Sequence, residues 1–177
     1  MRVFIAIEIP ESIKGYIADL QEKIDDKDNK ILPVNKNHVH LTLKFLGEVQ
    51  PHKVTRIKES LKKIEVGKIS VYLDKIGVFP SESYIRVIWV GFGPEEKILE
   101  LQDDIDENLK KFFKKEKNFK PHLTLARVKF IEDKKKFIDK LKKIKVENKK
   151  ININHFKLIK STLTEKGPIY EDLEIFG

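Results

Sequence analysis

Residues 38–45 read HVHLTLKF, and residues 121–127 read PHLTLAR. The tetrapeptide His-Leu-Thr-Leu therefore occurs twice, at His40–Leu43 and His122–Leu125, in a chain of 177 residues with only five histidines. The copies start 82 residues apart, and the same displacement aligns further stretches. RVFIAIEI at 2–9 matches the apolar run YIRVIWVGF that opens at Tyr84. After Pro10, residues Ile13, Tyr16, Ile17, Leu20 and Ile24 follow helical spacing, as do Ile98, Leu101, Ile105, Leu109 and Phe112 after Pro94. Behind the first motif Val54, Ile57, Leu61 and Ile64 mark another helix; behind the second, Phe137, Leu141 and Ile144 do so. Ile69 and Ile151 open the β-rich runs ISVYLDKIGVF and ININHFKLIKSTLT, and IYEDLEIF closes the chain after Gly167-Pro168. The order is strand, helix, motif strand, helix, strand, and then the same again. It predicts an α+β protein, one domain over 1–177 built of two halves, about 1–80 and 84–177, related by a pseudo-twofold axis. The break between them falls at the FPSES turn, 79–83.

Composition bounds the rest. Hydrophobic residues at 40% and charged residues at 36% describe a folded chain. No apolar run approaches the roughly 18–20 residues needed to span a bilayer. The apolar stretch of MRVFIAIEIP is too short for a signal peptide, so a cytoplasmic, membrane-free protein is expected. With no cysteine, disulfides and thiolate metal sites are excluded. Absent cysteine, one methionine and abundant Lys, Glu and Ile suit a thermophile. The net charge of +8 favours polyanionic partners, although most of it is lysine in helical runs that read as solvated faces. Arginine is scarce: Arg2, Arg56, Arg86 and Arg127.

Side chains on a strand alternate between faces. In HLTLKF that alternation puts His40, Thr42 and Lys44 on one face and Leu41, Leu43 and Phe45 on the other; in HLTLAR it pairs His122 with Thr124. Each half thus presents one imidazole and one hydroxyl. Imidazole titrates near pH 6.5, so one ring can act neutral and the other protonated. In-line displacement at phosphorus needs a base behind the entering oxygen and an acid behind the departing one, an arrangement a twofold-related pair supplies. The threonines would donate to the non-bridging oxygens. The scheme requires no metal and no cofactor.

The paired HLTL motifs, with RVFIAIEIP, HLTLKFLGEV, GVFPSESYIRVIWVGF, PHLTLARV and FKLIKSTLTEKGPIYEDLEIF, resemble the two-histidine phosphoesterase superfamily along the whole chain. More narrowly they resemble the RNA 2′,3′-cyclic phosphodiesterases, also called 2′-5′ RNA ligases. The resemblance implies two lobes with antiparallel sheets flanked by helices around a central groove. It implies hydrolysis of a terminal 2′,3′-cyclic phosphate to a 2′-phosphate, with 2′-5′ ligation as related chemistry. It makes His40 the proton donor and His122 the proton acceptor, with Thr42, Thr124 and Arg127 binding the phosphate. RNA with a cyclic phosphate end, transfer-RNA fragments included, is the implied partner, and a monomer is expected.

Arg127 lies five residues after His122, so alternation turns it away from the site; its role needs a bulge or a strand end there. His38 should share the face of His40, and His-x-His is also a metal-ligand pattern. His52 reads as surface and His155 as a plain strand residue. Phe45 and Trp89 read as core, whereas Phe79 is open between packing and a nucleobase contact. Arg86, on the face of Tyr84, would reach RNA or snorkel from a sheet edge. Two other readings stay open: a divalent-metal phosphoesterase using His38 and His40, and a non-catalytic RNA-binding module.

Overall fold

A computed structural model describes all of residues 1–177. Nine strands and four helices follow in the order β1 (Arg2–Glu8), α1 (Glu11–Ile24), β2 (Lys30–Pro33), β3 (His40–Glu48), α2 (Pro51–Leu61), β4 (Ile69–Ser81), β5 (Tyr84–Gly93), α3 (Glu96–Leu109), β6 (His122–Phe130), α4 (Lys134–Lys143), β7 (Lys150–Ile153), β8 (Phe156–Thr164) and β9 (Gly167–Phe176). A single 3-10 turn at Lys36–His38 precedes β3. Proline opens α2 at its first position, where no amide partner is lost. The Asp133 carboxylate caps α4 by accepting from the Lys136 amide at 3.0 Å.

The strands form two antiparallel sheets, sheet A in the order β3-β1-β8-β9 and sheet B in the order β2-β6-β5-β4-β7. The expected α+β fold with helix-flanked sheets is what the chain adopts. The halves of the sequence, however, do not each make one sheet. β2 and β4 of the first half join β6, β5 and β7, while β8 and β9 of the second half complete the sheet of β1 and β3. The helices cross too: α1 packs against β6 and α3 against β3. The FPSES turn lies inside one sheet, within the β4–β5 hairpin. β4 runs to Ser81, and Glu82 and Ser83 make the tight turn into its own partner β5.

The predicted helix faces are buried, including Ile13, Ile17 and Leu20 in α1 and Ile98, Leu101 and Ile105 in α3. These side chains pack with one face of both sheets into a single apolar core. The opposite sheet faces are left for the groove. Two elements differ from expectation. ININHFKLIKSTLT is not one strand but two, β7 and β8, split at Asn154-His155 and assigned to different sheets. Strand β2, which carries no apolar alternation, forms only because β6 offers it an edge.

Candidate active site

The two motif strands occupy equivalent places, and their burial runs in the same order from His40 to Glu48 and from His122 to Phe130. Both strands break register at the same point. Ile5 pairs with Lys44 and Ala6 with Thr42, so Leu43 is extra; Ile88 pairs with Ala126 and Trp89 with Thr124, so Leu125 is extra. Each is a β-bulge, and a bulge resets the alternation of everything beyond it. Past the first bulge Lys44 turns inward and Phe45 outward; past the second, Ala126 turns inward and Arg127 outward. The carbonyl of the extra residue Leu125 accepts from Gln21 Nε2 at 2.8 Å and from the Val34 amide at 3.0 Å, on the β2 side of β6.

Arg127 accordingly lines the same cavity as His40, Thr42, His122 and Thr124. The same bulges correct two expectations. Lys44 does not share the face of His40 but is buried, with Nζ 2.6 Å from Asp106 Oδ1 and 2.8 Å from the Lys114 carbonyl. Phe45 is not core; it is 63% exposed on the groove side.

The two imidazoles are held identically. His40 Nδ1 lies 2.7 Å from the His38 carbonyl, and His122 Nδ1 lies 2.7 Å from the Lys120 carbonyl. A carbonyl only accepts, so each Nδ1 carries hydrogen, and each Nε2 is left to take or give a proton. Burial pushes the His40 pKa down to about 4, against the raising effect of the His38 carbonyl, with the charges of His38 and His122 lowering it further. Burial also lowers His122, opposed by the Lys120 carbonyl. Both rings are thus neutral in the free protein near pH 7. A phosphate anion between them would favour the imidazolium form.

Aromatic rings hold each imidazole from the side. Phe4 stacks on His40 with centroids 4.9 Å apart, and Tyr170 meets it edge-on at 5.5 Å. Phe79 meets His122 edge-on at 4.9 Å and packs on Trp89 at 5.0 Å. Phe79 is therefore a groove residue. Trp89 is buried as expected, but outside the main core, lying across Gly77 on the groove side of sheet B. A Cβ on Gly77 would fall 2.2 Å from Trp89 Cζ2, so only glycine admits the indole there.

The remaining sequence candidates fall elsewhere or act differently. His38 sits in the 3-10 turn rather than on the strand, with its ring 5.1 Å from Tyr170. No three His, Asp or Glu side chains converge to hold a metal ion. His52 is exposed on α2, and His155 bonds Asn154 outside the groove. Arg86 is exposed and donates to the Tyr84 hydroxyl at 2.7 Å; β5 is an interior strand, so it does not snorkel from a sheet edge. Sequence reasoning missed Phe4, Tyr170 and Arg2. Tyr170 becomes visible only through the register of the β8–β9 hairpin, which sets it opposite Ser161.

The cavity bounded by these residues has a volume of about 700 Å³. It is large enough for a nucleotide, offers two proton-transfer groups with free Nε2 atoms, and adds hydroxyl and guanidinium donors suited to an anion.

Comparison with known proteins agrees with this chemistry. The family model described as "LigT like Phosphoesterase" matches residues 7–89 and 92–170. The RNA 2′,3′-cyclic phosphodiesterase of Methanocaldococcus jannaschii is 47% identical over 174 residues, covering 97% of each chain. The crystal structure of TT0787 of Thermus thermophilus superposes with a TM-score of 0.75 at 26% identity, over 99% of this chain and 97% of that one. The crystal structure of apo E. coli LigT gives a TM-score of 0.78 at 23% identity, over 98% and 95%, a likeness of fold.

Proposed function

Since the chain belongs to the LigT-like phosphoesterase family, we propose that it is an RNA 2′,3′-cyclic phosphodiesterase that opens the cyclic phosphate to a 2′-phosphate by paired-histidine acid–base catalysis. The observation that carries this reading is the matched pair of imidazoles, each fixed through Nδ1 by a backbone carbonyl and each presenting Nε2 to one groove.

In this mechanism His122 Nε2 takes a proton from water as the water oxygen bonds to phosphorus. The bond from phosphorus to O3′ breaks, and His40 Nε2–H delivers its proton to O3′. O2′ keeps the phosphate. Thr42, Thr124 and Arg127 donate to the non-bridging oxygens, where charge accumulates. The turnover leaves His40 neutral and His122 protonated, and exchange with solvent resets both. A ribose 5′-hydroxyl in place of water would give a 2′-5′ linkage by the same steps. No step needs a metal ion. No helix is long and apolar enough to cross a membrane, and the proposal includes a cytoplasmic location.

The test is an oligoribonucleotide ending in a 2′,3′-cyclic phosphate, incubated with the protein in EDTA, with the product end mapped by mass and by resistance to a 3′-specific phosphatase. Conversion to a 2′-phosphate that is lost in His40→Ala and His122→Ala is expected. Activity only after metal is added would put the metalloenzyme in its place, and RNA binding without turnover would leave a binding module.

A further inference from the structure

Antiparallel pairing brings residues of sheet A into cross-strand rows, and one row runs Glu48, Arg2, Ser161, Tyr170. Direct neighbours in such a row share a face, with Cβ atoms about 4.5–5.5 Å apart. Arg2, Ser161 and Tyr170 all line the groove. Glu48, at the far end, turns its carboxylate to the N-terminal amine at 3.3 Å rather than to Arg2. Arg2 forms no salt bridge, whereas Lys44 is sealed against Asp106 and Lys120 is paired with Glu95. A guanidinium in a groove without a carboxylate partner is a site for an anion.

Its distance from the reacting centre gives the anion a meaning. Tyr170 spans from this row to the catalytic pair, with its ring 5.5 Å from His40 and 5.2 Å from Phe4. Arg2 is two residues from Phe4 along β1, on the same face. An anion on Arg2 and Ser161 would therefore be separated from the phosphate at His40 by the apolar patch of Phe4 and Tyr170. In RNA, successive phosphates are separated by one nucleoside, whose sugar and base can rest on such a patch.

We propose that Arg2, Ser161 and the Tyr170 hydroxyl form a second phosphate subsite, which takes the phosphodiester on the 5′ side of the terminal nucleoside. The inference rests on the cyclic-phosphodiesterase reading and narrows its substrate class to RNA ends rather than cyclic mononucleotides, which lack that phosphate. Arg2 supplies the charge and a two-pronged donor; Ser161 and Tyr170 supply hydroxyl hydrogens. Burial keeps the Tyr170 hydroxyl protonated beyond its usual range, against the charges of Arg2 and Arg127, so it remains a donor at working pH.

The experiment compares two dinucleotides ending in a 2′,3′-cyclic phosphate, one with a normal internal phosphodiester and one with a neutral methylphosphonate in its place. The wild-type protein should prefer the charged linkage by about tenfold in kcat/KM, the worth of a charge-assisted contact. In Arg2→Ala and Arg2→Gln that preference should vanish, with a much smaller loss on the methylphosphonate substrate. Equal loss on both substrates would make Arg2 a support of the whole site and overturn the subsite. Persistence of the preference would assign the phosphate to another cation and overturn it as well. If the wild type hydrolyses neither dinucleotide, the hydrolase reading falls. The subsite then stands or falls on calorimetric binding of the two 2′-phosphate products, where the tenfold preference must appear in the wild type and disappear in Arg2→Ala.

Discussion

Replacing Lys44 by methionine should destabilise the protein by about 3 kcal/mol at neutral pH, the low end of the range for breaking a buried ion pair. The side chains of Lys44 and Asp106 are each 2% exposed, and Nζ lies 2.6 Å from Oδ1. Methionine keeps the aliphatic stem and drops the charge. Asp106 then stays buried with two neutral donors, Gln102 Nε2 at 3.0 Å and the Glu116 amide at 2.8 Å, and the Lys114 carbonyl loses its partner. Those two donors are why the lower end applies. For a chain of this size the loss corresponds to a fall in Tm of about 6–12 °C. Adding Asp106→Leu removes the stranded charge, so the double variant should recover to within about 1 kcal/mol of wild type.

The pH dependence has a definite sign. Burial raises the Asp106 pKa, but the Lys44 ammonium, the Glu116 amide and Gln102 more than offset it and hold the carboxyl below its usual range. A lowered folded pKa contributes stability that is present above the unfolded value, near 3.9, and lost as pH falls through the folded one. Without Lys44 the carboxylate is the penalised form, so the deficit of Lys44→Met should be largest near pH 7 and shrink as acid protonates Asp106. Urea unfolding from pH 4 to 8 of wild type, single and double variants measures all three quantities. A single-variant deficit below about 1 kcal/mol, a deficit constant across pH, or a double variant as damaged as the single would refute the reasoning.

With both imidazole pKa values lowered, the bell of kcat/KM should peak below about pH 6, falling on the acid side as His122 protonates and on the alkaline side as His40 loses its proton. The kcat profile should sit higher, because bound phosphate favours imidazolium; a kcat/KM optimum above pH 7 would contradict the burial argument. His40→Ala and His122→Ala should each lose nearly as much activity as the double variant, since the two act as one unit; multiplicative losses in single-turnover rates would argue otherwise. Gly77→Ala should cost about 1–3 kcal/mol by pushing Trp89 from its place under Phe79 and His122. The chain has one tryptophan, so a shift in its emission reports that displacement, and unchanged emission with unchanged stability would mean the indole does not depend on the gap.

Most of the candidate site was legible because its side chains sit in a repeated motif. His40, Thr42, His122 and Thr124 precede the bulges, where simple alternation still holds. Beyond them it fails, and with it the sequence-based placement of Lys44 and Phe45. A bulge is a property of pairing, set by the neighbouring strand, so HLTLKF and HLTLAR carry no local sign of it. Arg127 is the same physics with a favourable result. The exchange of strands between sheets was hidden for a related reason: an apolar run states that it will be buried, not beside which partner. Tyr170 lay beyond reading because its nearness to His40 depends on the order of four strands.

That strand order has a consequence for biogenesis. β1 is an interior strand of sheet A, between β3 and β8, so one of its edges waits for the end of the chain. Between Glu48 and Ser161, the two partners of Arg2, the ribosome adds 113 residues, which at usual elongation rates takes about 6–23 s. During that interval an apolar strand edge is open to wrong partners, the situation in which nascent chains aggregate or engage chaperones. A chain released before Phe156 would already carry both histidines. It would have neither β8 nor β9, and so no groove in which to use them.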